Sequence, residues 1–183
     1  DDKITAGAGA DIIDGGQGTD SVSYKDSSQG VSVDLEAGTG SGGDAEGDIL
    51  RNIENAEGSA LDDTILGSAD DNILSGGSGD DTLSGGLGSD HIDGGSGTDT
   101  VSFEYANRPE TQSGIDVSLG GSSDSGFTRN EDDRIDAVEN VEGSAGNDRI
   151  QGSTSGNVID GGAGDDQISG LEGNDTLSGQ DGD

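Results

Sequence analysis

From Gly76 to Ser102 the chain reads GGSGDDTLS, GGLGSDHID, GGSGTDTVS, one nine-residue pattern written three times without a gap. Each unit is Gly-Gly-x-Gly-x-Asp-x-U-x, where U is a large apolar residue: Leu83, Ile92 and Val101. Self-similarity at a short fixed period marks a solenoid, in which every unit packs only on its neighbours. The unit divides into six turn residues and three strand residues. Glycines at positions one, two and four permit positive φ and close approach of backbones. Position eight is apolar and β-prone between polar positions seven and nine, as a strand with one buried face requires. With each unit making half a turn of a flattened right-handed coil, units two apart stack at the usual strand spacing of about 4.8 Å. The predicted fold class is all-β, a parallel β-roll.

Working outward, the unit recurs in three arrays. The first holds a half unit, Asp1–Thr5, then AGAGADIID (6–14) and GGQGTDSVS (15–23), and Tyr24 ends it. The second opens with two irregular units, GSALDDTIL (58–66) and GSADDNILS (67–75), ahead of the three regular ones, and Phe103 ends it. The third runs through GSAGNDRIQ, GSTSGNVID, GGAGDDQIS and GLEGNDTLS (143–178). Two spacers without the nine-residue period separate them. VSVDL (31–35) and DILRNIENAEGS (48–59) in the first spacer match IDVSL (115–119) and DRIDAVENVEGS (133–144) in the second, so a module of array plus spacer is duplicated. The organisation read from this is a partial roll at 1–23, a spacer at 24–57, a roll at 58–102, a spacer at 103–142 and a truncated roll at 143–183. Val31, Val33 and Leu35 alternate with polar residues as in a half-buried strand, and the spacers read as caps over the roll ends.

Composition narrows the possible functions. Only 26% of residues are hydrophobic and 2% aromatic, too few for an ordinary core. Asp and Glu number 40 against 7 Lys and Arg, a net charge of −33, which repels nucleic acid and anionic membrane surfaces and invites cations. Such a composition also suits a disordered acidic spacer, but a disordered chain has no need to keep register at two length scales. There is no cysteine, so disulfides and thiolate metal sites are excluded. No apolar run approaches the roughly 18 residues of a membrane span, and the N-terminal DDKITAGAGAD has no signal-peptide pattern.

The carboxylates at position six give the pattern its chemistry. They recur on one side of the coil every 18 residues, so two stacked turns can offer a carboxylate each, together with backbone carbonyls. Six to eight oxygens at about 2.3–2.6 Å is the shell calcium favours. The pairs are Asp2 with Asp20, Asp63 with Asp81, Asn72 with Asp90, Asp81 with Asp99, Asp148 with Asp166, and Asn157 with Asp175, which predicts at least six calcium ions. Asp11 is expected to have no downstream partner, because Gln29 stands 18 residues on. One buried Leu or Ile per unit contributes only about 1.5–3 kcal/mol, too little to order nine residues whose carboxylates repel one another. Folding and cation binding are therefore expected to be one event.

These residues resemble the RTX family, the hemolysin-type calcium-binding nonapeptide repeats of secreted bacterial proteins, and the block order is similar to that of toxin members. The resemblance implies Asp ligands at position six, export by the type I secretion machinery as an unfolded chain, and folding outside the cell. Asn72 and Asn157 depart from the pattern with a neutral amide oxygen, and Ser59, Ser68, Ser144, Ser153 and Leu171 replace second-position glycines.

Enzymatic signals are weak. His91, the one histidine, occupies an outward position seven. Adjacent acids such as Asp80 and Asp81 recur at Asp62 and Asp63 and at Asp165 and Asp166, which makes them a feature of the repeat. A Gly-x-Gly-x-x-Gly match at Gly38, Gly40 and Gly43 lacks a strand–helix context. Thr98 and Thr100 form no stacked row of the kind that binds ice. The sequence reads as a monomeric, non-enzymatic calcium-binding module, secreted or attached to the cell surface. A calcium-stiffened adhesin stalk is the alternative.

Overall fold

A computed structural model describes residues 1–104, 114–119, 133–180 and 182. Almost every element is a short strand, and nearly all pairings are parallel. The predicted 18-residue register is present throughout the arrays. Ile4 lies beside Val22, Ile65 beside Leu83, Leu83 beside Val101, Leu74 beside Ile92, Ile150 beside Ile168, and Ile159 beside Leu177. Successive units fall in opposite sheets. One six-stranded sheet is centred in turn on Ile4, Val22, Ala56, Leu74, Ile92 and Ile135. A ten-stranded sheet carries Ile13, Leu50, Val33, Ile65, Leu83, Val101, Val141, Ile159 and Leu177, and a three-stranded sheet carries Val117, Ile150 and Ile168.

The core is a double column of position-eight side chains. Val22, Ile65, Leu74, Leu83, Ile92, Val101 and Ile159 are fully buried. Each strand turns one apolar residue inward and its polar neighbours outward, so the low apolar content suffices because the coil is only two strands thick. In the central array four strands are longer than three residues: Thr64–Ser68, Ile73–Ser78, Thr82–Gly86 and His91–Ser96. Pairing continues from position seven into the first residues of the next unit, with Gly95 beside Gly77 and Gly86 beside Ser68. Second-position glycine makes this possible. Gly77 and Gly95 take φ of 112° and 101°, and a Cβ on Gly95 would run into the carbonyl of Gly77 one turn away.

The spacers lie within the coil. Leu50 pairs with Ile13 and Ala56 with Val22 and Leu74, while Val33 sits beside Ile65, so the ladder crosses the limits drawn at 23/24 and 57/58. Those limits mark changes of period and not breaks in the sheets. The insertion is an antiparallel strand, Thr39–Ser41, laid between Ser32–Asp34 and Ile49–Arg51. In the second spacer the homologous pairings recur, Ile135 with Ile92, Val141 with Val101 and Val117 with Ile150; the stretches 105–113 and 120–132 lie outside the described residues. Val33 belongs to the ten-stranded sheet but Val117 to the opposite face, because an odd number of half-turns separates the two modules. Among the described residues no helix is long and apolar enough to cross a membrane.

Replacing Leu83 with Ala is expected to cost about 2–5 kcal/mol in urea unfolding at saturating calcium, because Leu83 is 0% exposed between Ile65 and Val101. Ile73→Ala, at a side chain that is 56% exposed, should change stability by less than about 0.5 kcal/mol.

Candidate metal centre

Two polar rows follow from the register. At position six, one oxygen of each carboxylate accepts the backbone N–H of the residue 18 earlier. Asp63 donates to Asp81 Oδ1 at 2.8 Å, Asn72 to Asp90 at 2.8 Å, Asp81 to Asp99 at 2.9 Å, Asp148 to Asp166 at 2.9 Å, and Asn157 to Asp175 at 3.0 Å. Asp2 N–H donates to Asp20 Oδ1 in the same way. All six pairs expected from the spacing are thus in contact. At position five the bond runs the other way: Asp62 Oδ1 accepts from Asp80 N–H and Asp80 Oδ1 from Thr98 N–H, both at 2.9 Å. The first acid of each pair is an exposed clip between turns, and the second faces inward.

The second oxygen of the inward row is the notable group. Oδ2 of Asp20, Asp81, Asp99 and Asp166 is buried with no hydrogen-bond partner. Burial of a carboxylate without compensation is costly. It pushes Asp81 up to about 7, against the hydrogen bond from Asp63 N–H, and the charges on Asp63, Asp99 and Asp62 add to the rise. Burial likewise raises Asp63, Asp99 and Asp148. Carbonyl oxygens lie nearby. A Cβ built on Gly76 would strike Asp81 Oδ2 and the Gly94 carbonyl; one on Gly143 would meet the Gly161 carbonyl and Asp148 Oδ2. First-position glycine therefore leaves room for oxygens of two successive turns to converge.

Sequence reasoning missed the carboxylates that the spacers contribute. Asp11 does have a downstream partner, because its N–H donates to Asp48 Oδ1 at 2.8 Å across 37 residues. The expectation failed because the insertion displaces the next turn from Gln29 to Asp48. Asp20 N–H reaches Glu54 Oε2 at 2.7 Å, Asp90 N–H reaches Asp133 Oδ1 at 3.0 Å, and Asp99 N–H reaches Glu139 Oε2 at 2.9 Å. The signal was present as acid-x-apolar-x tetrads at 48–51, 54–57, 133–136 and 139–142. It was hidden because the turn between tetrads shrinks to two residues and carries no glycine; Asn52 and Ala137 themselves take positive φ there, 52° and 51°. At the opposite end of each insertion the carboxylate row stops. Val31 and Ile115 occupy the inward position and donate their N–H groups to Asp63 and Asp148 Oδ1.

Asp48 is satisfied by protein alone. Its Oδ2 accepts the hydroxyl of Tyr24 at 2.9 Å, and Tyr24 is 0% exposed. Burial, with Asp48 and Asp11 nearby, drives the phenol far above its ordinary value. Tyr24 thus packs within the buried apolar cluster and also closes an inward carboxylate. His91 remains on the outer face, where Nε2 is 2.8 Å from Asp136 Oδ2.

The donors are oxygen only, anionic and buried, which suits a hard cation. Among the described residues no three acidic, histidine or cysteine side chains converge in a metal-binding arrangement, so a complete shell must draw on the backbone carbonyls. Fold and site together define a parallel β-roll with calcium-binding turns. A family model, the RTX calcium-binding nonapeptide repeat in four copies, matches residues 1–22, 57–91, 67–101, 142–177 and 164–183, more than half of the chain. The protein belongs to that family, and its repeats bind calcium. No curated protein matches it.

Two outcomes are expected. The Asp81 carboxyl titrates higher in the folded chain than in the unfolded one, where an Asp has an ordinary value of about 3.9. Without calcium the fold is therefore most stable below about pH 4 and loses stability as pH rises towards 7. Circular dichroism in EDTA should show strand content falling from pH 4.5 to pH 7.5, and a rise would contradict the buried row. Tyr24→Phe removes the hydroxyl from buried Asp48 and should cost about 1–3 kcal/mol in urea unfolding at saturating calcium.

Proposed function

We propose that the chain is a non-enzymatic folding module of a secreted or surface-attached bacterial protein, disordered at low calcium and ordered outside the cell. The observation that carries this reading is the register row of buried, unpartnered carboxylate oxygens on Asp20, Asp81, Asp99 and Asp166. Each of these units brings one such oxygen out of water while burying a single position-eight side chain, so the folded chain without a counter-ion is self-opposing. Bound calcium supplies the counter-charge and the oxygen coordination that those atoms lack. The backbone N–H bonds along the row hold each carboxylate against the turn before it, which makes ordering of one turn a template for the next. Export unfolded through type I secretion machinery fits a chain that has too little core to fold in a calcium-poor cytosol, and a fold built from its own successive turns has no need of a second chain.

Asp81 belongs to two pairs, with Asp63 and with Asp99, whereas Asp2 belongs to one, with Asp20. Calcium titration followed by far-ultraviolet circular dichroism, with EDTA and magnesium controls, should show a coil-to-strand transition that magnesium reproduces poorly. The midpoint should rise more for Asp81→Ala than for Asp2→Ala. A chain already rich in strand in EDTA at neutral pH would overturn the folding reading in favour of a stiffened stalk, and equal midpoints would overturn the shared-ligand row.

A further inference from the structure

In the second unit after each spacer the inward position holds an asparagine in place of an aspartate, twice and with the same partners. Asn72 stacks 18 residues after Glu54, and Asn157 18 residues after Glu139. Asn72 Nδ2 donates to the Glu54 carbonyl at 2.6 Å, and Asn157 Nδ2 to the Glu139 carbonyl at 2.6 Å. The amide oxygens accept the N–H of Ser68 and of Ser153, each at 2.7 Å. A carbonyl can only accept and a backbone N–H can only donate, so the partners fix which way each amide points. The serine hydroxyls lie beside both ends of the amides: Oγ is 3.3 Å from Asn72 Oδ1 and 3.2 Å from its Nδ2, and 3.4 Å and 3.2 Å in the Asn157 copy. Asn72 and Asn157 are 1% and 2% exposed.

We infer that these two junctions take no ion, and that Asn72 and Asn157 are stitches joining spacer to array and not calcium ligands. In the regular array Asp81 Oδ2 and the Gly94 carbonyl converge beside Gly76, and a charged oxygen without a hydrogen bond calls for a cation there. Beside Gly67 and Gly152 the amide oxygens of Asn72 and Asn157 approach the Gly85 and Gly170 carbonyls in the same way, but these amide oxygens are uncharged and already hydrogen-bonded. At the junctions the amide N–H supplies the positive end itself. Both acceptor positions of each amide oxygen face donors from the serine that replaces second-position glycine, so no lone pair remains for a ligand bond. An aspartate there would set a carboxylate oxygen against the carbonyl of Glu54 or Glu139. The Ser and Asn substitutions within the second unit after each spacer are therefore a matched pair that sets a metal-free turn against the spacer.

The inference rests on calcium binding by the regular units and not on disorder of the calcium-free chain, so a strand-rich chain in EDTA would leave it standing. Its test is the full chain carrying Asn72→Asp and Asn157→Asp, with bound calcium counted by equilibrium dialysis and the midpoint read by circular dichroism. Loss of the donors should raise the midpoint about two-fold or more, with no fall in the number of ions bound by the folded variant. A lower midpoint at an unchanged count would show that the asparagines were ligands improved by charge, and would overturn the inference. Should the variant not fold, the wild-type chain decides. In calcium, the side-chain amide protons of Asn72 and Asn157 should exchange with solvent at least about 100-fold more slowly than those of exposed Asn174, and equal rates would overturn it.

Discussion

The structure depends on the bond from a backbone N–H to the carboxylate 18 residues further on. It converts a nine-residue repeat into a coil of fixed register, because a slip of one residue would turn every apolar side chain outward and every inward carboxylate away from its donor. It also creates the problem that the protein must solve. Holding Oδ1 of Asp81 or Asp99 against the preceding turn drags Oδ2 out of water with nothing to bond it. A chain with a single apolar column on each face has little surplus stability to offset several such groups, so the cost falls on whatever cation the row can attract.

The chain answers that cost in more than one way. The regular units leave it to a cation, with glycine at the first position keeping space open between turns. At Asp48 a phenol hydroxyl closes the second oxygen. At Asn72 and Asn157 the carboxylate is replaced by an amide that brings its own donor. Val31 and Ile115 remove the polar group altogether. The departures from the repeat are concentrated where the spacers join the coil, at the turns whose neighbours are no longer nonapeptides.

The duplicated modules carry these solutions in homologous places but on opposite faces. An odd number of half-turns separates the insertions, so Val33 and its antiparallel neighbour extend the ten-stranded sheet while Val117 lies across the core from that sheet. Phe103, which ends the second array, has no hydroxyl with which to repeat the Tyr24–Asp48 bond.

The sequence by itself determined the parallel coil, its 18-residue register, the buried column through Leu83, Ile92 and Val101, and all six carboxylate or amide pairs within the arrays. A period of nine with one carboxylate and one apolar residue per unit admits few other solutions, and the local pattern repeats often enough to be read without tertiary information. The tertiary structure alone decided what the spacers do. The pairing of Asp11 with Asp48, Asp20 with Glu54 and Asp99 with Glu139 spans 34 to 40 residues, across an insertion whose length no periodicity announces. Nor could composition distinguish an asparagine that offers its oxygen to a cation from one that offers its nitrogen to a carbonyl. That depends on whether the facing turn presents an N–H or a C=O, and at Asn72 and Asn157 it presents the carbonyls of Glu54 and Glu139.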